Sequence, residues 1–414
     1  MEGTFVIVGA SLAGGTAAAT LREEGFDGKL ILIGAESHPP YERPPLSKEY
    51  LRGEAPFEES LVRPATFYGE NEIQTLFGSR VLHVHPNEHA VEVEGGRRIK
   101  YEKLLIATGG RNRHFPIPGL DLGGVYDLRM REDADRIRAE ATPGRKAVVV
   151  GMGFIGSEVA ASLRMLGLKV TGVEGSKVPL HRVLGEGVGR VLEGIHRDHG
   201  VEMIFEDPVA AFEGSGHVDR VVTKTGRMIE CDFAVVGLGA EPVTELVQGT
   251  DVKVDNGIVV DEYCRTSVEE IYAAGDIANH YHPLFGRHVR VEHWQNAQRQ
   301  GASAAQSMLG RSAPYEDVHW FWSDQYDANI QYAGFHTTWD ELVVRGRPED
   351  RNFIAFYVKD GLIDAAVALN RANDLRRAMS LIKARLPVES SALRDDDTDL
   401  RRLAGSGIGV GELR

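Results

Sequence analysis

Two segments of this 414-residue chain repeat one order of parts: a short β-branched strand, a glycine turn and an alanine-rich helix. The first runs Val6-Ile7-Val8-Gly9-Ala10-Ser11-Leu12-Ala13-Gly14, and the second runs Val148-Val149-Val150-Gly151-Met152-Gly153-Phe154-Ile155-Gly156. Such a turn aims a helix N-terminus, with its unpaired N–H groups and positive dipole end, at a pyrophosphate. About twenty residues beyond each turn a carboxylate ends the next strand, Glu36 after Ile31-Leu32-Ile33 and Glu174 after Val170-Thr171-Gly172-Val173. A carboxylate there accepts the hydroxyls of an adenosine ribose. One glycine pattern is weak evidence. Two in series, each with strand, helix and acid in register, imply an α/β protein that binds two adenine dinucleotides.

The rest of the composition mainly excludes. The chain is too long for one core and suits two or three domains. A formal charge of −14 argues against nucleic acid as a partner. No apolar run reaches the length of a membrane span, so no membrane partner is expected. A strand begins almost at the N-terminus, and Glu2 stands where a signal peptide would be basic, so the expected compartment is the cytoplasm. Only Cys231 and Cys264 are present, in no Cys-x-x-Cys pair and no zinc-ligand cluster. Buried, inert thiols are expected, and redox chemistry must then belong to a cofactor.

Along the chain, a helix over Gly14–Glu24 closes at Gly25, and the proline-rich turn Pro39–Pro45 opens a second helix near Leu46. Strands are expected at Val81–His85, His89–Glu94 and Lys103–Ala107, the last ending in Thr108-Gly109-Gly110. Phe233–Val236, ending in Gly237-Leu238-Gly239, echoes that run and predicts that the two halves are built alike. The chain then returns to the first domain through strands near Val259 and Ile271 and a helix over Asn296–Leu309. From His319 alternating apolar runs predict an antiparallel sheet. A helix capped by Asp374 follows, with Leu375, Met379, Ile382 and Leu386 on one face, and then a loose tail over Asp395–Asp397 and Gly405–Gly411. The expected division is 1–112 with 242–318, then 113–241, then 319–414.

Five segments now stand in a telling order: Tyr41-Glu42-Arg43-Pro44-Pro45-Leu46-Ser47-Lys48, Ala107-Thr108-Gly109, Gly151–Gly156 with Glu158, Tyr272-Ala273-Ala274-Gly275-Asp276, and Trp320-Phe321-Trp322-Ser323-Asp324-Gln325. In these the chain resembles the oxygenase-coupled, NADH-dependent ferredoxin reductases of the putidaredoxin reductase type, FAD enzymes of the glutathione-reductase fold. The resemblance implies two Rossmann-like domains, the discontinuous first binding FAD and the second NAD, plus a C-terminal α+β domain with an antiparallel sheet. It implies that FAD is contacted by Gly9, Ser11, Ala13, Gly14, Glu36, Arg43, Lys48, Val81, Arg129, Asp276 and Trp294. NADH is contacted by Gly151, Gly153, Ile155, Gly156, Glu158, Glu174 and Gly239. Lys48, Glu158 and Trp322 take the catalytic roles: a cation near the flavin edge, a carboxylate that pairs with it, and an indole beside the flavin toward the electron-exit surface. The implied partner is a [2Fe-2S] ferredoxin feeding a Rieske oxygenase or a cytochrome P450.

Plainer readings stand beside several of these. Asp276 suits a helix N-cap as well as a ribitol ligand. Lys48 and Glu158 suit solvated helix positions, and Trp320 and Trp322, two apart on a strand, suit a core stripe. Ser11 replaces the second glycine of the first fingerprint but is small enough to fit, and Ala35 leaves Glu36 as the only acid for that ribose. His280, His282, His288 and His293 match no helical metal pair, so surface or core histidines and no metal are expected. An NADH oxidase or peroxidase of the same fold would need a cysteine in the Pro44–Lys48 turn, which has none. An NADH-responsive binding flavoprotein resembling apoptosis-inducing factor is the other alternative. Finally, Arg371, Arg376, Arg377, Lys383 and Arg385 stand against the single acid Asp374, and with Arg401 and Arg402 form a candidate basic docking patch.

Overall fold

The structure, a computed structural model, describes residues 3–311 and 313–405. By contacts the chain divides into two compact units. One comprises residues 1–43, 56–111 and 240–319, and the other 44–55, 112–239 and 320–414. The turn 44–55, read from sequence as part of the first domain, therefore packs with the second unit.

Each unit is organised around one parallel sheet. In the first, the strand order is Ile73–Leu76, Lys29–Ile33, Thr4–Val8, Lys103–Ile106, Ile271–Ala273. In the second it is Glu202–Ile204, Lys169–Val173, Lys146–Val150, Phe233–Val236, Val125–Asp127. The central strand of each is fully buried over its last four residues, as near-continuous Val/Ile runs flanked by parallel neighbours must be. A three-stranded antiparallel meander accompanies each sheet, Val81–His85 with Ala90–Val93 and Arg98–Lys100, and Val209–Glu213 with Arg220–Thr223 and Met228–Glu230. The two halves are built alike.

The expected C-terminal antiparallel sheet is present in the second unit, ordered Trp320–Gln325, Ala328–Gly334, Leu362–Leu369, Asn352–Lys359, Glu341–Arg347. The amphipathic helix Ala372–Ala384 packs on this sheet, but it begins after Arg371 rather than at Asp374. Asp374 lies inside the first turn, buried, and pairs with Arg371 and Arg377 instead of capping. The buried stripe is Leu375, Ala378, Leu381 and Ile382, while Leu386 falls beyond the helix and is exposed. Asp395–Asp397 are not a loose tail, because Asp396 is tied to Arg345 and Arg371; the expected Gly405–Gly411 stretch lies, past Gly405, outside the described residues.

Candidate active site

In the first unit Val8 leads into Gly9 with φ of +115°, and a Cβ there would lie 2.1 Å from the Ala107 carbonyl oxygen. At Gly14 a Cβ would lie 1.9 Å from the Gly9 carbonyl oxygen, so only glycine lets the helix Leu12–Glu23 start this close to the strand. Ser11 occupies the N-cap in extended backbone and makes no side-chain cap. The first-turn N–H groups have no intrahelical partners and no acid stands among them, which is the donor set a pyrophosphate requires. Ala13 is buried, and a Cβ at Gly301 of the helix Trp294–Met308 would lie 2.3 Å from its carbonyl oxygen, so that helix lies hard against the first.

Glu36 does not stand alone at the end of its strand. Arg43 donates to its Oε1 at 2.8 Å and the buried Tyr41 hydroxyl donates to Oε2, so two side chains fix the carboxylate. Tyr41 was quoted within its motif but given no role from sequence; aromatic ring and hydroxyl together are the signal. Asp276 lies in the turn between strands Ile271–Ala273 and Ala278–His282, so it is no helix N-cap. Arg290 donates to its carbonyl oxygen at 3.1 Å, and Gln300 accepts from Gly275 N–H at 2.8 Å to fix the turn. Trp294 opens its helix, and Val81 opens its strand, half-buried against the core.

The second unit repeats the cradle in a more open form. Gly151 has φ of +87°, and a Cβ at Gly156 would lie 1.9 Å from the Gly151 carbonyl oxygen. Gly153 is the uncapped N-cap of the helix Phe154–Met165, with open space where a side chain would go. Gly239 likewise faces open space, and Ile155, at the position of Ala13, is 46% exposed. Glu174 accepts from Met152 N–H and Ser176 N–H, both at 2.8 Å, and so is oriented by main chain alone. Lys177 faces Glu186 rather than Glu174.

Beside this cradle the second unit buries a charged cluster. Pro44–Ser47 forms a tight turn and Lys48 precedes the short helix Glu49–Arg52. Lys48 Nζ lies 2.6 Å from Glu158 Oε2, with both side chains under 10% exposed. Ser47 Oγ donates to the same oxygen, and Ser323 Oγ donates to Oε1 at 2.7 Å. Ser162 Oγ donates to the Ser47 carbonyl at 2.7 Å and ties the turn to the helix that carries Glu158. Neither Lys48 nor Glu158 is a solvated helix residue. A buried pair is tolerated only when its remaining valences are filled, and here Ser47 and Ser323 fill those of the carboxylate.

Strand alternation explains the last contribution. Phe321, Ser323 and Gln325 are buried, and Phe321 packs edge-on to Phe154 with centroids 4.6 Å apart. Trp320 and Trp322 share the other face and stack at 5.4 Å, both only half-buried. They are no core stripe. Arg129 ends the loop before the helix Arg131–Glu140, its N–H held by Asp133 at 3.0 Å. Of the residues expected at FAD, Lys48, Arg129 and Trp322 thus belong to the second unit and the others to the first. Ser47 and Ser323 received no role from sequence, although strand parity places Ser323 opposite the tryptophans.

Cys231 and Cys264 are buried, and burial pushes each thiol up to about 12, out of reach of thiolate chemistry. The basic stretch is less basic in space than in sequence. Arg371 pairs with Asp374 and Asp396, Arg377 with Asp374, Arg385 with Asp364, and Arg401 with Asp399.

Residues 3–301 match the pyridine nucleotide-disulphide oxidoreductase family, and residues 320–404 match the reductase C-terminal family. The chain belongs to the pyridine nucleotide-disulphide oxidoreductases. It is 39% identical over 405 residues to the 5,5'-dehydrodivanillate O-demethylase ferredoxin reductase subunit of Sphingobium sp., covering 97% of this chain and 98% of that one. It is 37% identical over 399 residues to rhodocoxin reductase of Rhodococcus erythropolis, covering 96% and 93%. Among solved structures it matches the covalent putidaredoxin reductase–putidaredoxin complex with a TM-score of 0.94 at 33% identity, covering 97% of this chain and 98% of that chain. The resemblance and the fold expected from sequence are both borne out. No helix among the described residues is long and apolar enough to cross a membrane.

Proposed function

We propose that this protein is a cytoplasmic, FAD-dependent ferredoxin reductase that passes electrons from NADH to a [2Fe-2S] ferredoxin serving an oxygenase or a cytochrome P450. One observation carries the reading: a single chain holds two glycine-cradled, uncapped helix N-termini, one walled in by a second helix and one open. The closed cradle suits a resident dinucleotide and the open one a dinucleotide that must leave every turnover.

Gly9, Ser11, Ala13, Gly14, Glu36, Arg43, Val81, Asp276 and Trp294 would hold FAD, assisted by Lys48 and Arg129. Residues 1–112 and 242–318, apart from the turn 44–55 that packs with the second unit, would form its domain. Gly151, Gly153, Ile155, Gly156, Glu174 and Gly239 of the domain 113–241 would hold NADH. FAD would supply the chemistry, taking the electron pair of one hydride and releasing the two electrons singly. The protein's part is position and charge. Glu158, fixed by Ser47 and Ser323, holds the Lys48 ammonium in one place within the buried cluster. Lys48 is thereby a preorganised cation for negative charge developing on the reduced cofactor. Glu174 accepts the free 2′-hydroxyl of NADH and repels a 2′-phosphate, worth about 2–3 kcal/mol against NADPH. Trp322, half-exposed on the strand that opens residues 319–414, lies on the electron path toward the partner. In the Arg371–Arg385 stretch Arg376, which donates to the Asn373 amide oxygen and pairs with no carboxylate among the described residues, is the leading contact for an acidic ferredoxin.

The test is direct. Heat-released flavin should run as FAD on chromatography, and kcat/KM should favour NADH by roughly a hundredfold. FMN, or equal kcat/KM for NADH and NADPH, would overturn the assignments of the first and second cradles respectively.

A further inference from the structure

His280 and His282 lie two apart on the strand Ala278–His282 of the first unit and so face the same side. His319, the last residue of that unit, meets them there. All three are essentially inaccessible, at 1%, 0% and 0% exposure. One nitrogen from each ring can be chosen so that all three lie within 4.8 Å of one another. His280 Nε2 and His319 Nε2 are 3.3 Å apart. That is the edge of a tetrahedron whose nitrogens stand about 2.0–2.1 Å from a central zinc ion.

Tautomers sharpen the picture. His282 Nε2 lies 3.0 Å from the Asp317 carbonyl oxygen, which can only accept, so the ring proton sits on Nε2 and Nδ1 carries a lone pair. That Nδ1 is buried with no hydrogen-bond partner. A carbonyl that orients a histidine in this way is the usual outer support of a metal ligand. Nδ1 of His280 and of His319 are also buried and unpartnered, and a neutral imidazole that ligates through Nε2 carries its proton there. Tyr315 and Phe285 wall the cluster with ring centroids 5.5 Å from His280 and 4.7 Å from His282.

We infer that His280, His282 and His319 form a structural site for one divalent transition-metal ion of the zinc class, with three imidazole nitrogens and a fourth position for water. Such an ion would pin the strand that follows Asp276 to the residue from which the C-terminal sheet departs. It is separate from electron transfer, and the expectation of surface or core histidines with no metal rests on His280, His282, His288 and His293, without His319.

The test uses the flavin-loaded enzyme, treated with chelator, freed of it and titrated with Zn²⁺ or Co²⁺ alone. Metal analysis should find about one tightly held equivalent per chain, and the thermal midpoint should rise by several degrees in Zn²⁺. Co²⁺ should give the intense long-wavelength visible bands of a tetrahedral nitrogen site, beyond the flavin absorption. H282Q and H319Q should weaken binding by on the order of a hundredfold, and H288Q, at an exposed position, should leave it unchanged. No saturable equivalent in the wild type, or the same equivalent in a folded H282Q variant, would overturn the site. If the variants do not fold, the wild-type cobalt spectrum decides: weak octahedral bands would overturn the proposal.

Discussion

The two nucleotide cradles of this chain share a topology and differ in how firmly they are closed. Gly9 and Gly151 turn alike, and Gly14 and Gly156 let helix approach strand to the same degree. The positions between them diverge. Ala13 lies buried beneath the helix Trp294–Met308, whereas its counterpart Ile155 is 46% exposed. The first acid, Glu36, is clamped by Arg43 and Tyr41, while the second, Glu174, is aimed only by main-chain N–H groups. On the proposed reading one fold, duplicated, serves retention in one copy and exchange in the other. The difference lies in what covers the cradle.

The largest effects should come from the shared glycines. Gly14→Ala drives a Cβ to within 1.9 Å of a main-chain oxygen and should yield protein purified without its yellow colour. Gly156→Ala makes the same clash in the other copy and should leave the flavin bound while abolishing its reduction by NADH. If Gly156→Ala also loses the flavin, the two cradles are not separable as argued.

Next comes the buried pair. Lys48→Met leaves Glu158 charged, buried and without its cation, a change that costs about 3–5 kcal/mol. Glu158→Gln is milder. Both should lower the rate of NADH-dependent flavin reduction tenfold or more, with flavin content little changed, as stopped-flow absorbance will report. Loss of flavin with unaltered reduction of what remains would assign the pair to FAD retention instead.

Smaller effects separate the two acids. Tyr41→Phe removes one donor from Glu36 and should weaken FAD binding by about 1–2 kcal/mol without altering KM for NADH. Glu174→Gln should do the converse, keeping FAD and narrowing the preference over NADPH. Crossed outcomes would exchange the two assignments.

Acid should destabilise the second unit. His196 there is held down to about 4 by burial. It is neutral when folded but takes up a proton when unfolded below about pH 6.5, so stability falls as pH drops from there toward the folded value. The slope is up to about 1.4 kcal/mol per pH unit. His196→Gln should flatten the fall in Tm between pH 6.5 and 4.5; an unchanged slope would remove His196 from the account.

Much of this was legible in the sequence. Strand, glycine turn, helix and acid fall within about thirty residues, so both cradles are local patterns that no tertiary contact has to complete. What escaped was non-local or locally ambiguous. The helical stretch His181–Asp198, interrupted at Gly185 by a φ of +76°, was not read at all, since Gly185 breaks it and Gly187, Gly189 and Gly194 depress helix propensity. It is rescued by packing Leu184, Val188, Leu192 and Ile195 against the C-terminal sheet. The edge strand Val125–Asp127 is three residues long, too short for a periodic signal. The basic stretch looked unopposed because Asp364, Asp396 and Asp399 reach its arginines only through the fold. Ser323 gained meaning only once its strand met Glu158.

The central claim, a resident flavin reduced through an exchangeable nucleotide and oxidised by a one-electron partner, is tested most directly by anaerobic titration with NADH followed by rapid mixing with an oxidised [2Fe-2S] ferredoxin. About one equivalent of NADH per chain should bleach the flavin absorbance, and mixing should then reduce about two equivalents of ferredoxin within the enzyme's turnover time. A flavin that NADH bleaches but that returns its electrons only to oxygen, leaving every ferredoxin tried oxidised, would contradict it.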